Sequence, residues 1–322
     1  SGWSPSWGFR ALIWPVWRAG GMWGLFAWRW LATLGTFALL WLAARRMGAR
    51  GLSPLAAVAT CAVLYRLRVQ IRPETLAGLL LALQIWILEA RRHGGPDRSW
   101  ALPAIALAWA NCHISYFLFF IVLGIHALED LLRANAVPGG IAAGRLKHAG
   151  AATSADAPRE ARPAGPVAGA GRLHPVVIGI ASLAAMLLNP WGWRTLAQPF
   201  AYLFEWRREP IFATIGELGR PRWGEELWNG AGVIAIALPA LILWRWPRGR
   251  DRVQLLMLAA FGAMAVSSMR FLGFFAIAAA PYLARDLDAW LASRRWPAWT
   301  ARPWMRFAGV ATVTLGVALP SW

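Results

Sequence analysis

Apolar runs at 22–44, 52–66, 75–90, 101–128, 173–189, 228–244, 253–269, 271–284 and 307–320 take up about half of this chain. Nothing else in the sequence restricts the fold as much. In hydrocarbon every backbone N–H and C=O must be paired within the protein, so such runs read as membrane helices or re-entrant legs. The composition agrees: 58% of residues are hydrophobic, 15% are charged and the mean hydropathy is +0.44. A soluble domain of 322 residues rarely reaches such values. Many of the 23 Trp lie at the ends of the runs, where an amphipathic ring sits best, at headgroup level. The sequence therefore predicts an all-α integral membrane protein of about 8–10 transmembrane or re-entrant helices. It also predicts an interfacial N-terminal helix and a long extracytoplasmic loop.

The net charge of +18 resembles a nucleic-acid signal. That reading fails, because the arginines lie mainly between apolar runs, where they orient helices and meet anionic lipid. High Ala, Arg, Gly, Pro and Trp with a single Lys, Lys147, points to base composition as part of the basicity. The two cysteines, Cys61 and Cys112, form neither a disulfide framework nor a zinc spacing. The chain starts at Ser1 without a signal peptide, and the expectation is a longer membrane protein with at least one upstream segment.

Three regions follow. Residues 1–133 form an N-terminal membrane bundle, 134–172 a disordered cytoplasmic linker rich in Ala, Gly and Pro, and 173–322 a C-terminal bundle. Residues 1–21 are too short to span and read as an interfacial helix, and Arg29 reads as snorkelling from the first span. If a helix continued from Arg68 to Arg72, the two would share a face. Residues 101–128 read as one tilted span or as a hairpin folding at Asn111–Ser115. The hairpin is preferred, because it puts the basic segments 45–51, 89–98, 129–172, 245–252 and 285–306 on one side, with 21 of the 33 Lys and Arg residues. The segment 190–226, with balanced Arg and Glu, reads as a folded loop hugging the outer interface.

This topology gathers unusual residues on the outer face: Arg68, Arg72 and Glu74; Asn111, His113 and Ser115; Asn189, Trp191 and Arg194; Glu205, Trp206, Arg207 and Glu209; and Arg270. Arginines at a membrane interface suit a phosphate headgroup through forked, charge-assisted hydrogen bonds. Carboxylates suit a general base or a sugar hydroxyl clamp, and Trp faces stack on sugars. Blander readings stand beside these. Arg270 reads equally as an interfacial anchor, and His113 with Asn111 as a tie between helices. Glu205 and Glu209 read as surface pairs with Arg207 and Arg208, and Asn189-Pro190 as a helix stop. No Walker loop, dinucleotide fingerprint or HExxH is present.

Four stretches carry a resemblance: Arg72-Pro73-Glu74; LAWANCHISYFL at 107–118; LLNPWGWRTLAQPF at 187–200 with Glu205-Trp206; and MRFLGFFAIAAAPYLA at 269–284. In order, they resemble bacterial multispanning proteins of the GT-C-type glycosyltransferase superfamily, over most of residues 1–285. The resemblance implies transfer of a sugar from a polyprenyl-phosphate donor to a glycan, lipid or protein acceptor, on the extracytoplasmic face of the bacterial inner membrane. It implies donor phosphate binding by Arg68, Arg72 and Arg270, and a pocket of Asn111, His113, Asn189, Trp191, Arg194 and Trp206. Enzymes of this type use an acidic residue in the first outer loop. Residues 1–21 contain no Asp or Glu, which leaves Glu74, Glu205 and Glu209 as substitutes or puts that acid upstream. The usual Asn-x-His-Gly-Gly-like tip reads Asn111-Cys112-His113-Ile114-Ser115 here. No cofactor is evident; some such enzymes use a divalent metal, but no ligand set is visible in the sequence. Membrane lipids are expected partners and nucleic acid is not. The rival readings are a transporter or flippase of a lipid-linked sugar, and a non-catalytic membrane scaffold.

Overall fold

A computed structural model of the chain describes residues 6–136, 174–206, 209–226, 230–297, 300 and 302–319. The linker expected over 134–172 lies outside these residues, apart from the three that close a helix at Ala136. The chain is an all-α membrane protein, with no strand among the described residues. Its helices are α1 (Trp7–Arg46), α2 (Ser53–Tyr65), α3 (Pro73–Arg92), α4 (Leu102–Cys112), α5 (Phe117–Ala136), α6 (His174–Met186), α7 (Trp193–Phe204), α8 (Pro210–Ala213), α9 (Trp223–Glu226), α10 (Ala231–Arg245), α11 (Arg252–Ser267), α12 (Leu272–Ala292) and α13 (Pro303–Ala318). Four stretches are long and apolar enough to cross a membrane: Trp7–Arg46, Pro73–Arg92, Ile114–Asn135 and Ala231–Arg248. Leu31, Leu34, Ile236 and Leu243 are largely exposed, a cost in water that disappears against lipid chains.

α1 is two helices. Gly21 has φ +51° and ψ −138°, a conformation open to glycine, and breaks the ladder there. Phe9 stacks edge-on against Trp28 with centroids 5.3 Å apart. An unbroken helix would separate them by about 28 Å, so the chain folds back at Gly21. Within the interfacial segment read at 1–21, residues 7–20 are therefore a separate helical arm, packed back on the first span. Arg29 lies between rings, 5.0 Å from the Phe26 centroid and 5.2 Å from that of Trp30.

α12 is the axis of the bundle. It buries Gly273, Ala276, Ala278, Ala279, Ala280 and Ala284 among larger side chains, and small residues let neighbouring backbones come close. The run expected to end at 284 continues eight residues further, through Arg285 and Asp286. The sequence reading ended it at its first charges, but those charges are buried and paired.

Turn positions define two ends. α4 stops at Cys112, His113 is extended, and α5 returns, so 101–128 is a hairpin. α3, α5 and α12 each carry ionisable groups near both ends: Glu74 and Glu89, His113 and His126, Arg270 and Arg285. The members of each pair stand about 20–22 Å apart along the bundle. At the second end the loops expected on one side do meet. The Arg50 amide and the Ser53 hydroxyl donate to Asp288. Arg92 bridges to Asp251 at 2.5 Å and Glu89 at 3.2 Å. Arg285 donates to Asp251 (2.5 Å), Asp286 (2.8 Å) and Gln254 (2.7 Å), and Arg245 to Asp286 (3.0 Å). Tyr282 donates to Glu89 at 2.7 Å. Three arginines thus face three carboxylates, and the sequence reading had placed all of them in solvated loops or at helix ends.

Asp251 caps α11, accepting from the Gln254 amide at 3.1 Å. Burial alone would raise its carboxyl, but the Arg285 and Arg92 guanidinia outweigh burial and hold it well below the usual carboxylate range. A depressed folded-state value adds stability that is complete above the unfolded value of about 3.9 and is lost as pH falls through the folded one. The unfolding temperature should fall as pH drops below about 5. Asp251→Asn should start lower and lose part of that slope. Parallel curves for the two proteins would show that Asp251 carries no such linkage.

Candidate functional site

At the first end, three arginines, a second carboxylate and a histidine from five parts of the chain gather around one buried carboxylate. Glu74 lies in the first turn of α3, set up by Pro73 at the helix start and by Arg72, which is extended and cannot continue a helix. Arg68 closes a short 3-10 turn after α2, and Val69 breaks away. The shared helical face considered for Arg68 and Arg72 is absent, and a common partner joins them instead. Arg270 sits in the 3-10 turn Met269–Phe271 before α12.

Arg270 Nε donates to Glu74 Oε1 at 2.5 Å, and Arg68 Nη1 reaches Glu74 Oε2 at 3.4 Å. Arg68 Nη1 also donates to Glu217 Oε2 at 2.9 Å, and Arg72 Nη1 to Glu217 Oε1 at 3.0 Å. Glu217 lies in the turn Gly216–Leu218 of the long loop. That turn is pinned beside Arg270, because Ser268 Oγ donates to the Glu217 carbonyl at 3.2 Å and the Met269 amide to the Gly219 carbonyl at 2.9 Å. Close packing admits the arrangement: a Cβ on Gly273 would stand 2.9 Å from Arg68 Cγ.

A relay fixes His113. Trp109 Nε1 donates to Ser115 Oγ at 3.1 Å, Ser115 Oγ lies 2.6 Å from His113 Nδ1, and the Ser115 amide donates to Nδ1 at 3.1 Å. Nδ1 is therefore the acceptor, which assigns the neutral ring's proton to Nε2. Nε2 lies 3.8 Å from Glu74 Oε1 and 3.4 Å from Arg270 Nη2. Counting Arg68, Arg72 and Arg270 against Glu74 and Glu217, the cluster is net positive. Burial would raise the Glu217 carboxyl, but Arg68 and Arg72 outweigh that and hold it below its ordinary value.

The remaining sequence candidates lie elsewhere. Asn111 Oδ1 accepts from Trp7 Nε1 at 2.8 Å, and its Nδ2 donates to the Leu107 and Leu188 carbonyls. It ties the N-terminal arm and α6 to the hairpin, the bland reading considered for it. Asn189 organises its own turn, accepting from the Trp191 amide at 2.9 Å and Thr195 Oγ1 at 2.7 Å. Arg194, Glu205 and Glu209 are exposed and Trp206 is half-buried; none of these, nor Trp191, enters the contacts around Glu74 described above. Arg207 lies outside the described residues. Glu217 was not singled out in the sequence, where it is one of five Glu among five Arg in a loop. No group of three or more His, Cys, Asp or Glu side chains able to hold a metal occurs among the described residues.

No family model, curated protein or solved structure matches the chain.

Proposed function

We propose that this chain is the membrane part of a glycosyltransferase of the GT-C type, which takes a sugar from a polyprenyl-phosphate donor at the end of the bundle that holds Glu74. One observation carries the reading: Arg68, Arg72 and Arg270, brought in from separate elements, converge at a helix end beside His113. The basic loops gathered at the opposite end support placing this end on the extracytoplasmic face of a bacterial inner membrane.

In this reading the arginine forks bind the non-bridging oxygens of the donor phosphate. Transfer breaks the bond between the sugar's anomeric carbon and the phosphate oxygen, the acceptor hydroxyl oxygen bonds to that carbon, and the leaving polyprenyl phosphate keeps the electron pair and takes up the hydroxyl proton. The guanidinia stabilise the charge that develops there. Glu74 already accepts from two guanidinia, so it serves as the clamp that orients them and not as the acceptor's base. Glu217 holds Arg68 and Arg72 through two oxygens, as a phosphate would. Donor binding then displaces Glu217. A transporter would have to open the opposite end, where Arg92, Arg245 and Arg285 tie α3, α10, α11 and α12 together through Glu89, Asp251 and Asp286; this favours the transferase.

Removing the competing carboxylate tests the reading. Glu217→Gln should bind farnesyl phosphate, a short polyprenyl phosphate, about tenfold more tightly than the natural chain, and Arg72→Ala about tenfold less tightly. If both variants bind it as the natural chain does, the phosphate does not sit between Arg68 and Arg72.

A further inference from the structure

A second recognition site lies at the opposite end and does not depend on the transferase reading. A cavity of about 650 Å³ opens there beside Glu129, Trp246, Arg250, Arg252 and Leu255, within the usual range for small-ligand sites. It lies between the late turns of α5, the turn after α10 and the start of α11. Two of the spans, Ile114–Asn135 and Ala231–Arg248, end beside it, which sets the cavity at headgroup depth.

Two of its features call for opposite charges. Arg250 and Arg252 are exposed, and neither has a carboxylate partner among the described residues. Arg250 Cζ stands over the Trp246 ring, 4.2 Å from its centroid. Together they offer an anion a forked donor set. Glu129 is different: it is 7% exposed, its Oε1 accepts from Arg133 at 2.7 Å, and its Oε2 is buried without a hydrogen-bond partner. An unpaired buried carboxylate oxygen is costly and wants an N–H donor or a cation. Leu243 in α10 and Leu256 in α11 are exposed and are apolar enough to meet acyl chains.

We infer that this cavity binds the phosphoethanolamine headgroup of a membrane lipid, with the phosphate on Arg250 and Arg252 and the ammonium on Glu129 Oε2. Phosphatidylcholine has the same charges but no N–H to donate. Phosphatidylglycerol has the anion and no cation. The basic end alone would suit any anionic lipid; the buried carboxylate oxygen selects the amine.

Calorimetry on the detergent-solubilised full chain with dihexanoyl lipids tests this. Phosphatidylethanolamine should bind about tenfold more tightly than phosphatidylcholine, the worth of one charge-assisted hydrogen bond. Glu129→Gln, a same-shape change, should abolish that preference, weakening phosphatidylethanolamine more than phosphatidylcholine. Arg250→Ala with Arg252→Ala, both exposed positions, should weaken both lipids about tenfold or more. Equal affinity for the two lipids, or a preference that survives Glu129→Gln, overturns the proposal, as does tighter binding of phosphatidylglycerol. Free O-phosphoethanolamine should bind far more weakly than the lipid; binding as tight as the lipid's would make the ligand a soluble one and overturn the lipid assignment. Unfolding temperatures matching the natural chain's establish that each variant is folded.

Discussion

Arg285→Ala should destabilise the protein by about 3–5 kcal/mol, the usual cost of removing one partner from a buried ion-pair network. The side chain is 5% exposed, Asp251 6% and Asp286 1%. Truncation takes a donor from each carboxylate and leaves two cations, Arg92 and Arg245, against Glu89, Asp251 and Asp286, and Gln254 Oε1 loses its donor as well. The loss has little to do with the attraction of the pair itself. Burying charge is expensive, and a satisfied network roughly breaks even against an apolar one. Removing the excess buried negative charge should therefore recover stability. Arg285→Ala combined with Asp251→Asn should unfold at a higher temperature than Arg285→Ala alone. Arg248→Ala, at an exposed arginine beside Trp244, should stay within about 0.5 kcal/mol of the natural chain. A thermal-unfolding series in detergent reads all three. If Arg285→Ala unfolds with Arg248→Ala, the network does not hold this end of the bundle together.

Arg270→Ala should reduce farnesyl phosphate binding by about 10–100-fold, because a charge-assisted hydrogen bond contributes about 1.5–3 kcal/mol. Two effects combine. A donor to the phosphate is lost, and Glu74, 6% exposed, loses its closest cation and competes for Arg68. Arg270→Lys separates them. It keeps a charge near Glu74 and gives up the fork, so it should restore stability fully and binding only in part. Full restoration of binding by lysine would mean that Arg270 acts as a point charge on Glu74 and not on the ligand. Full-strength binding by the alanine variant would remove Arg270 from the site altogether.

How much of this was legible in the sequence depended on the kind of residue. Arg68, Arg72, Glu74, His113 and Arg270 were readable one by one, because a polar group at the end of an apolar run stands out against lipid-compatible neighbours. The topology placed them at one end, but it placed Asn189, Arg194 and Glu205 there too, and did not decide which of these side chains would meet. Glu217 stood out against nothing. It lies 149 residues from Arg68, in a loop where Arg and Glu alternate, and no local pattern distinguishes a Glu that bridges two arginines from one that faces water. The network of Glu89, Arg92, Asp251, Arg285 and Asp286 was hidden for a related reason. Charges at helix ends follow the pattern of basic loops, whether solvated or buried.

The sequence by itself determined that this is a helical membrane protein, where most helices start and stop, that 101–128 folds back on itself, and which turns share an end. Hydrophobic run length, proline and glycine breaks and loop charge are local quantities, and lipid enforces them residue by residue. Only the tertiary structure decided that α1 folds back at Gly21, that α12 continues past its first charges, and which carboxylate each guanidinium meets. Those outcomes depend on the exact approach of segments distant in sequence. The energy of a buried ion pair is set within a few ångströms and leaves no periodic trace along the chain.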